Sequence, residues 1–285
     1  MTLDQAGAAS LDKAYAHCEA EAREHARDRW LGSLFAPPAL RRHLHALLAF
    51  EGEMSRLRLS VRDPRAGEIR LVWWREALTG ERADEAQGNP VAAAMLDTLA
   101  EVNPPPHLIT NAITGRQFDF YDDVFPTTVE LEAYLGETRS GPIQIAARAL
   151  GGGEEAAEAS GLAGVALGLT DWLCAIAGPR PLPLIPQSTL AARDASAADL
   201  RERRMTPGLS AALHDLATLA RRRLGEAEAA RRGLPPPLAP AYAGLATAPL
   251  RLDAAERGLT RAFEAAPVVA AWRRQWALWR WMRRG

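Results

Sequence analysis

The sequence contains little cysteine and no long apolar segment. Cys18 and Cys174 are its two cysteines, and they lie far apart without CxxC or Cys/His spacing, which argues against a disulfide framework or a zinc site. No run of eighteen uncharged apolar residues occurs, and the segment from Met1 to Arg29 contains no apolar signal core. We therefore expect a cytoplasmic protein with at most peripheral contact with the inner membrane.

Common catalytic motifs are absent as well. The chain has no GxSxG, no HExxH and no Walker loop, which removes the usual hydrolase, zinc-protease and P-loop classes. A formal net charge of −1 gives no overall bias toward nucleic acid, and no nucleic-acid-binding motif is present, so we expect no such partner. His43 and His45 are two residues apart on a predicted helix, and we expect them at the surface or half-buried.

What the sequence does contain is apolar residues at helical spacing, with abundant Ala, Leu, Arg and Glu and no alternating β-branched runs. This pattern predicts an all-α protein. Hydrophobic residues make up 48% of the chain, enough for one large core, and we predict a single domain over 1–285. The Pro-rich segment 177–202 is predicted to be an extended loop. The predicted helices are 9–28, 38–59, 67–79, 89–101, 106–122, 128–136, 140–150, 155–176, 208–231, 238–265 and 267–283.

An acidic stretch, "GRQFDFYDD" from Gly115 to Asp123, is the first candidate site. On a helix, Asp119, Asp122 and Asp123 would share one face and could hold Mg²⁺ and, through it, a diphosphate. The alternative is a solvated helix end in which Arg116 pairs with Asp119. A capping box formed by Thr127 and Glu130 predicts that the next helix starts immediately afterwards.

The C-terminal segment at about 267–285 is basic and rich in tryptophan. Trp272, Trp276 and Trp279 fall on one helical face. The neighbouring arginines that we group with this face are Arg273, Arg274 and Arg280. Such a helix could contact an anionic membrane surface or a protein partner. The alternative is that the tryptophans pack against the helical body.

Four segments, taken in order, resemble the squalene/phytoene synthase family of head-to-head prenyltransferases. They are "RDRWLGSLFAPPALRRHLHALLAFEGEMSRLRLSV", "GEIRLVWWREAL", "GRQFDFYDD…LEAYLGET", and "GLAGVALGLTDWLCAIAG" followed by "PLIP", and together they span Arg27 to Pro186. The resemblance implies one all-α bundle of the isoprenoid (trans-prenyl) synthase type around a deep cavity. It also implies that two aspartate-rich DxxxD motifs hold Mg²⁺ against a prenyl diphosphate.

Both aspartate-rich motifs are missing from this sequence. By the resemblance, the first falls on Ser55 and Leu59, with Arg56 where a further aspartate is common, and the second falls on Ala175 and Pro179. A cationic side chain at a metal position would repel Mg²⁺. The remaining candidates for a position near a diphosphate or in the cavity are Glu51, Glu53, Arg56, Asp119, Asp122, Asp123 and Asp171.

The same losses, together with "AFEGEMSRLR…GEIRLVWWREAL" and "WRRQWALWRW", are most similar to the branch related to the mitochondrial complex I assembly factor. That resemblance implies a non-catalytic factor that assists assembly of an inner-membrane respiratory complex and binds no metal or cofactor. Its cavity could take an isoprenoid or lipid. The alternative is an active Mg²⁺-dependent prenyltransferase that condenses two prenyl diphosphates through relocated carboxylates. A third hypothesis is a peripheral membrane or lipid-carrier protein without a respiratory role.

Overall fold

A computed structural model describes the backbone of residues 3–284 and the side chains from residue 9 onward. Throughout residues 3–284 the regular structure is helical and no β-strand occurs, so the predicted all-α class is confirmed. The α-helices of this range are α1 (Leu3–His25), α2 (Arg27–Ser33), α3 (Pro38–Ser60), α4 (Pro64–Thr79), α5 (Ala83–Ala86), α6 (Pro90–Val102), α7 (His107–Thr114), α8 (Thr128–Leu135), α9 (Gly141–Ala149), α10 (Ala157–Ala175), α11 (Gln187–Ala191), α12 (Ala197–Arg201), α13 (Pro207–Arg232), α14 (Ala243–Gly258) and α15 (Ala271–Met282).

Tighter and wider turns interrupt the α-helices. Four segments are 3₁₀-helical, namely Gly115–Phe120, Glu154–Ala156, Pro236–Tyr242 and Leu259–Arg261, and the segment Gly136–Ser140 is a π-helical turn. Single π-turns inside helical runs are uncommon and often lie at functional sites, because the extra residue re-aims the neighbouring side chains. This turn joins α8 directly to α9.

Local chemistry explains several helix ends. The Asp63 carboxylate accepts a hydrogen bond from the Arg65 N–H at the start of α4, with Pro64 in the first turn. Gly80 ends the same helix in the left-handed conformation at φ 92°. At α8 the Thr127 N–H donates to the Glu130 carboxylate at 2.7 Å, so the predicted capping box is confirmed.

The enclosed centre of the fold is α10, which packs against α13 and α14 and is buried along most of its length. Two glycines let the π-helical turn approach it closely. A β-carbon at Gly164 would collide with the Ser140 hydroxyl, and one at Gly168 would lie 2.7 Å from Leu135. The Gly164 position therefore lets the π-helical turn lie against α10, and Gly168 leaves room for the side chain of Leu135, the last residue of α8.

Several predicted boundaries are wrong for local reasons. The helix predicted over 9–28 is broken at Ala26, whose φ of −129° leaves the helical region. The helix predicted over 106–122 loses α geometry after Thr114, and the C-terminal helix begins at Ala271 because Pro267 and two valines precede it. The short helix α5 was not predicted. The segment 177–202, predicted to be an extended loop, contains α11 and α12. The helix predicted over 238–265 begins and ends with 3₁₀ turns.

The two histidines of α3 are buried, so the prediction of surface or half-buried side chains is wrong. A ring nitrogen of His45 lies 2.8 Å from the Ser33 hydroxyl, and one of His43 lies 3.1 Å from the Thr98 hydroxyl. Burial lowers the pKa of both imidazoles. Their partners come from α2 and α6, and such tertiary contacts cannot be read from the spacing of the two histidines.

None of the helices within residues 3–284 is both long and apolar enough to cross a bilayer.

The tryptophan pair of α4 provides a test of the core. Trp74 is 3% exposed and meets Phe50 edge to face at 5.6 Å, whereas Trp73 is half-buried with its indole N–H on Glu85. We expect Trp74→Ala to lower the free energy of unfolding by about 3–5 kcal/mol because a large void forms in packed surroundings. Trp73→Ala, the matched control, should cost clearly less in the same urea titration. Equal costs would show that the Trp74 site collapses or that Trp73 carries the packing.

Candidate functional site

A cavity of about 490 Å³ opens between α2, α3, α10, α14 and α15, with the π-helical turn and α9 on one side. Its wall is unusually rich in charge for an interior surface. The arginines that line it are Arg27, Arg29, Arg56, Arg139, Arg251 and Arg274, and the carboxylates are Asp28, Glu51 and Asp171. Of the charged groups that face the cavity, twice as many are positive as negative.

Helical spacing brings these residues to the cavity. On α3, Leu48, Glu51 and Ser55 follow one another at three- and four-residue steps and so face the same side. Gly52 lies between them, and the Arg56 guanidinium folds back over it, 3.6 Å from where a β-carbon would stand. On α14, Thr247 is followed by Arg251 one turn later on the same face.

Three ion pairs link the helices that form the wall. Arg251 Nη1 donates to Asp171 Oδ1 at 2.7 Å, which joins α14 to α10. Arg29 Nη1 donates to Glu51 Oε2, also at 2.7 Å, and joins α2 to α3. Arg274 Nη1 donates to Asp28 Oδ2 at 2.8 Å and joins α15 to α2. In each pair the bond is charge-assisted and partly sheltered from water.

Asp171 is the carboxylate most strongly surrounded by positive charge. Burial by itself disfavours its charged form, but the fields of Arg251, Arg139 and Arg29 outweigh that effect and hold the pKa of the Asp171 carboxyl below its usual value. Arg139 Nη1 lies 3.7 Å from Asp171 Oδ2, beyond hydrogen-bonding distance. Arg139 belongs to the π-helical turn, and its side-chain stem passes close to Gly168, one turn before Asp171.

The residues of this cavity do not fit the Mg²⁺ ions that the family resemblance implies. Ser55 is the first motif position, and its hydroxyl donates to the Glu51 carbonyl. The other motif positions, Leu59, Ala175 and Pro179, are exposed at the surface. Among the described side chains, residues 9–284, no group of three or more His, Cys, Asp or Glu could surround a metal ion. Mg²⁺ requires oxygen ligands, and the cavity carboxylates already hold arginines.

Arg56 and Glu53 form a small cluster at the edge of the cavity. Arg56 Nη2 donates to Glu21 at 2.7 Å and to Glu53 at 2.9 Å. Glu53 itself does not line the cavity, whereas Arg56 does. The residue that stands at a metal position of the family is therefore an arginine held in place by two carboxylates of α1 and α3.

The acidic triplet does not form one face of a helix, so that prediction is wrong. The backbone is 3₁₀-helical from Gly115 to Phe120 and extended at Tyr121, which separates Asp119 from Asp122 and Asp123. Asp119 is 4% exposed and accepts a hydrogen bond from the Tyr134 hydroxyl, and burial raises the pKa of that phenol.

The charged partners of the triplet are arginines. Arg116 Nη1 lies 3.4 Å from Asp119 Oδ2, so the predicted pairing is confirmed, but both groups are buried rather than solvated. Arg58 Nη2 donates to the exposed Asp122 at 3.1 Å. None of the three aspartates lines the cavity.

On α15 the tryptophans divide between two faces. Trp272, Trp276 and Trp279 are 69%, 56% and 41% exposed, and the last two stack at 4.9 Å. On the other face Leu278 is buried and the Trp281 indole donates to Glu228 at 3.0 Å. The three exposed rings together form what we call the aromatic face.

The arginines of α15 also divide. Arg273 and Arg280 are exposed beside the aromatic face. Arg274 instead pairs with Asp28 and lines the cavity, so grouping it with the surface arginines is wrong. Its helical position turns it toward α2, which the tryptophan spacing does not reveal.

The cavity thus contains Glu51, Arg56 and Asp171 from the sequence candidates. Sequence reasoning missed the residues of α2, the π-helical turn and α14, namely Arg27, Asp28, Arg29, Arg139 and Arg251. One signal for Arg251 was present, because it is the first charge on a helix that otherwise begins "AGLATAPL". An arginine that follows eight uncharged residues on a helix indicates a buried anionic partner.

Comparisons with known proteins agree with this fold. The sequence profile of the family described as "Squalene/phytoene synthase" matches residues 22–280. The "NADH dehydrogenase (ubiquinone) complex I, assembly factor 6" of Rattus norvegicus is 25% identical over 141 residues, 50% of this chain and 42% of the relative. Its Homo sapiens counterpart is 23% identical over 207 residues, 72% of this chain and 62% of the relative. The chain therefore spans 42% to 62% of the length of these relatives.

Solved structures share the architecture at low identity. The squalene synthase HpnC from Alicyclobacillus acidocaldarius is 22% identical, with a TM-score of 0.66 over 88% of this chain and 93% of that one. A dehydrosqualene synthase solved in complex with a ligand is 15% identical, with a TM-score of 0.77 over 96% and 97%. YisP from Bacillus subtilis is 14% identical, with a TM-score of 0.73 over 95% and 97%. These likenesses establish the fold.

The acidic stretch generates a stability test. Asp119→Ala should lower the free energy of unfolding by about 3–5 kcal/mol, because it leaves the buried Arg116 without its counter-charge and Tyr134 without its acceptor. The control, Asp122→Asn combined with Asp123→Asn, should cost less than about 1 kcal/mol because the affected pair is exposed on one side. Chemical denaturation measures both, and a larger loss for the control would show that the surface pair, not the buried one, holds this segment.

Proposed function

Because the chain belongs to the squalene/phytoene synthase family, we propose that it uses the family scaffold without metal-dependent chemistry, as a non-catalytic factor in assembly of a membrane respiratory complex. The observation that carries this proposal is the pairing of every carboxylate in the cavity. Asp28, Glu51 and Asp171 each accept a hydrogen bond from an arginine. In the metal-dependent reaction that the family resemblance implies, Mg²⁺ ions stabilise the departing diphosphate, and here each cavity carboxylate that could hold such an ion is paired with an arginine.

The relatives support the choice of client. Complex I assembly factor 6 sequences from rat and human match this chain over half or more of its length. At 23–25% identity, and with 42% to 62% of each relative covered, the match favours an assembly role within the family. We accordingly propose an NADH dehydrogenase complex, or a subunit of it, as the partner.

The aromatic face of α15 suggests where the protein works. Exposed indole rings prefer the region between lipid headgroups and acyl chains, and guanidinium groups beside them attract anionic lipids. Arg273 and Arg280 stand beside the aromatic face, and the Arg283 guanidinium lies 4.8 Å from the Trp279 ring centre. We propose that α15 contacts the anionic surface of the inner membrane. Since Arg274 of the same helix lines the cavity, such contact would bring the cavity mouth near the headgroups.

The non-catalytic assignment makes two linked predictions. Purified protein incubated with farnesyl diphosphate and Mg²⁺ should release no more inorganic diphosphate than buffer alone, because no carboxylate pair holds the Mg²⁺ that would stabilise the departing diphosphate. Cells lacking the gene should show less assembled NADH dehydrogenase complex on native gels, and the wild-type gene should restore it. Diphosphate release well above buffer would instead establish the prenyltransferase alternative. Normal complex levels in the deleted strain would remove the assembly role.

The membrane assignment is tested by flotation with vesicles that contain about a third phosphatidylglycerol in phosphatidylcholine. Replacing Trp272, Trp276 and Trp279 together by alanine should reduce the bound fraction about tenfold or more, since the main apolar contact is lost. The control replaces the exposed Ile69 and Val129, on α4 and α8, by alanine and should bind like wild type. Added salt should weaken wild-type binding. Unchanged flotation of the tryptophan variant would assign the aromatic face to another contact.

A further inference from the structure

We propose that the cavity binds a phosphate or diphosphate group directly through its arginines, with no divalent metal between protein and anion. This inference rests on the proposed function in one respect, because both assume that no metal-dependent reaction takes place in the cavity. It assigns a ligand class to the cavity and a binding role to arginines that the family resemblance did not identify.

The balance of charge is the first support. The cavity is lined by six guanidinium groups and three carboxylates. Glu21 and Glu53 offset the charge of Arg56 from outside the cavity. The carboxylates that line the cavity offset Arg29, Arg251 and Arg274. Arg27 and Arg139 are left without a hydrogen-bonded carboxylate, and the six arginines exceed the five carboxylates by one charge. A partly enclosed cleft with walls of low dielectric concentrates the field of such a surplus and attracts anions.

Hydrogen-bond donors are also in excess. A guanidinium carries five N–H groups, yet Arg29, Arg251 and Arg274 each donate one side-chain hydrogen bond to a carboxylate of the described chain. Arg139 has no acceptor within hydrogen-bonding distance among the residues that the structure describes, and its nearest carboxylate oxygen is 3.7 Å away. Several N–H groups are therefore available to an incoming oxyanion, and planar guanidinium groups match phosphate oxygens in pairs.

The arrangement of the walls suits a tetrahedral anion. Arg139 comes from the π-helical turn, Arg251 from α14 and Arg29 from α2, so donors approach from three directions. The hydroxyl-bearing Ser55 and Thr247 also line the cavity. A volume of about 490 Å³ is ample for a diphosphate.

The apolar continuation of the cavity is much smaller. A pocket of about 30 Å³ shares Arg29, Leu48, Glu51 and Ile143 with the main cavity and is otherwise lined mainly by apolar side chains. It has room for roughly two water molecules, far less than a farnesyl chain needs. The site is thus built for the anionic group itself, whether free diphosphate or the headgroup of a lipid whose chain stays outside.

Asp171 supplies a test with opposite signs for the two chemistries. In the proposed site the Asp171 carboxylate competes with the anionic ligand for arginines. It is hydrogen-bonded to Arg251 and lies near Arg139, and both arginines would bind the ligand. Asp171→Asn keeps the shape and removes the competing charge, so anion affinity should rise. If Asp171 were a metal ligand, the same change would lower affinity, because the metal would be lost.

The experiment is calorimetric titration of the full chain with inorganic pyrophosphate and, separately, with farnesyl thiodiphosphate, in EDTA and again with Mg²⁺. We expect both probes to bind in EDTA, with dissociation constants within about tenfold of each other. The farnesyl chain would then contribute less than about 1.4 kcal/mol to the binding free energy. Asp171→Asn should tighten binding several-fold. Arg139→Gln combined with Arg251→Gln should weaken it about tenfold or more, as expected for the loss of charge-assisted hydrogen bonds.

Two further variants are controls that separate a loss of binding from a loss of folding. Arg27→Gln changes an exposed residue at the rim that makes no ion pair within the described chain, and it should weaken binding modestly without lowering the melting temperature. Arg193→Gln removes the same charge from a surface pair with Asp215, far from the cavity, and should bind like wild type.

Each other outcome overturns the proposal in a recognisable way. No heat in EDTA and none with Mg²⁺ would remove the anion site but leave the assembly role intact. Binding only with Mg²⁺, weakened by Asp171→Asn, would place a metal site in the cavity and count against the non-catalytic function too. A strong preference for the farnesyl probe in EDTA would show that the apolar pocket opens, and the restriction to a headgroup would fail.

Discussion

The pairing of each cavity carboxylate with an arginine determines both how the helices are held and what the cavity can bind. Arg251 with Asp171, Arg29 with Glu51 and Arg274 with Asp28 connect α14, α10, α2, α3 and α15. A partly buried carboxylate is stabilised in its charged form by a nearby cation, and here that cation is an arginine of the same chain. Because these carboxylates are already paired with arginines, the interactions that close the bundle at this point also support the proposal that metal-dependent chemistry is absent.

Close backbone approach makes this arrangement possible. Gly164 and Gly168 on α10 let the π-helical turn lie directly against that helix, and this contact delivers Arg139 to Asp171. A larger residue at Gly168 would meet Leu135 and push the turn outward. The wall is thus preorganised by packing, which favours binding of an anion without rearrangement of the side chains that would bind it.

The fold was largely predictable, whereas the site was predictable only in part. Helical spacing identified the all-α class, and the capping box at Thr127 and Glu130 located the start of α8, because both signals are local. The resemblance identified Ser55 and Arg56 as changed positions. Arg139 and Arg251 escaped notice because each meets Asp171 only through tertiary packing, across 32 and 80 residues of sequence. The burial of His43, His45 and Asp119 was missed because each also has a partner on another element. These partners are Thr98, Ser33 and Tyr134.

We propose that arginines take the place of metal ions in this cavity. A crystal soaked with pyrophosphate and Mn²⁺, and measured at the manganese absorption edge, would test it most directly, because Mn²⁺ accepts the oxygen ligands of Mg²⁺ and can be located by its anomalous signal. We expect pyrophosphate density against Arg139 and Arg251 and no manganese peak in the cavity. A manganese peak bound by Glu51 or Asp171 would contradict it.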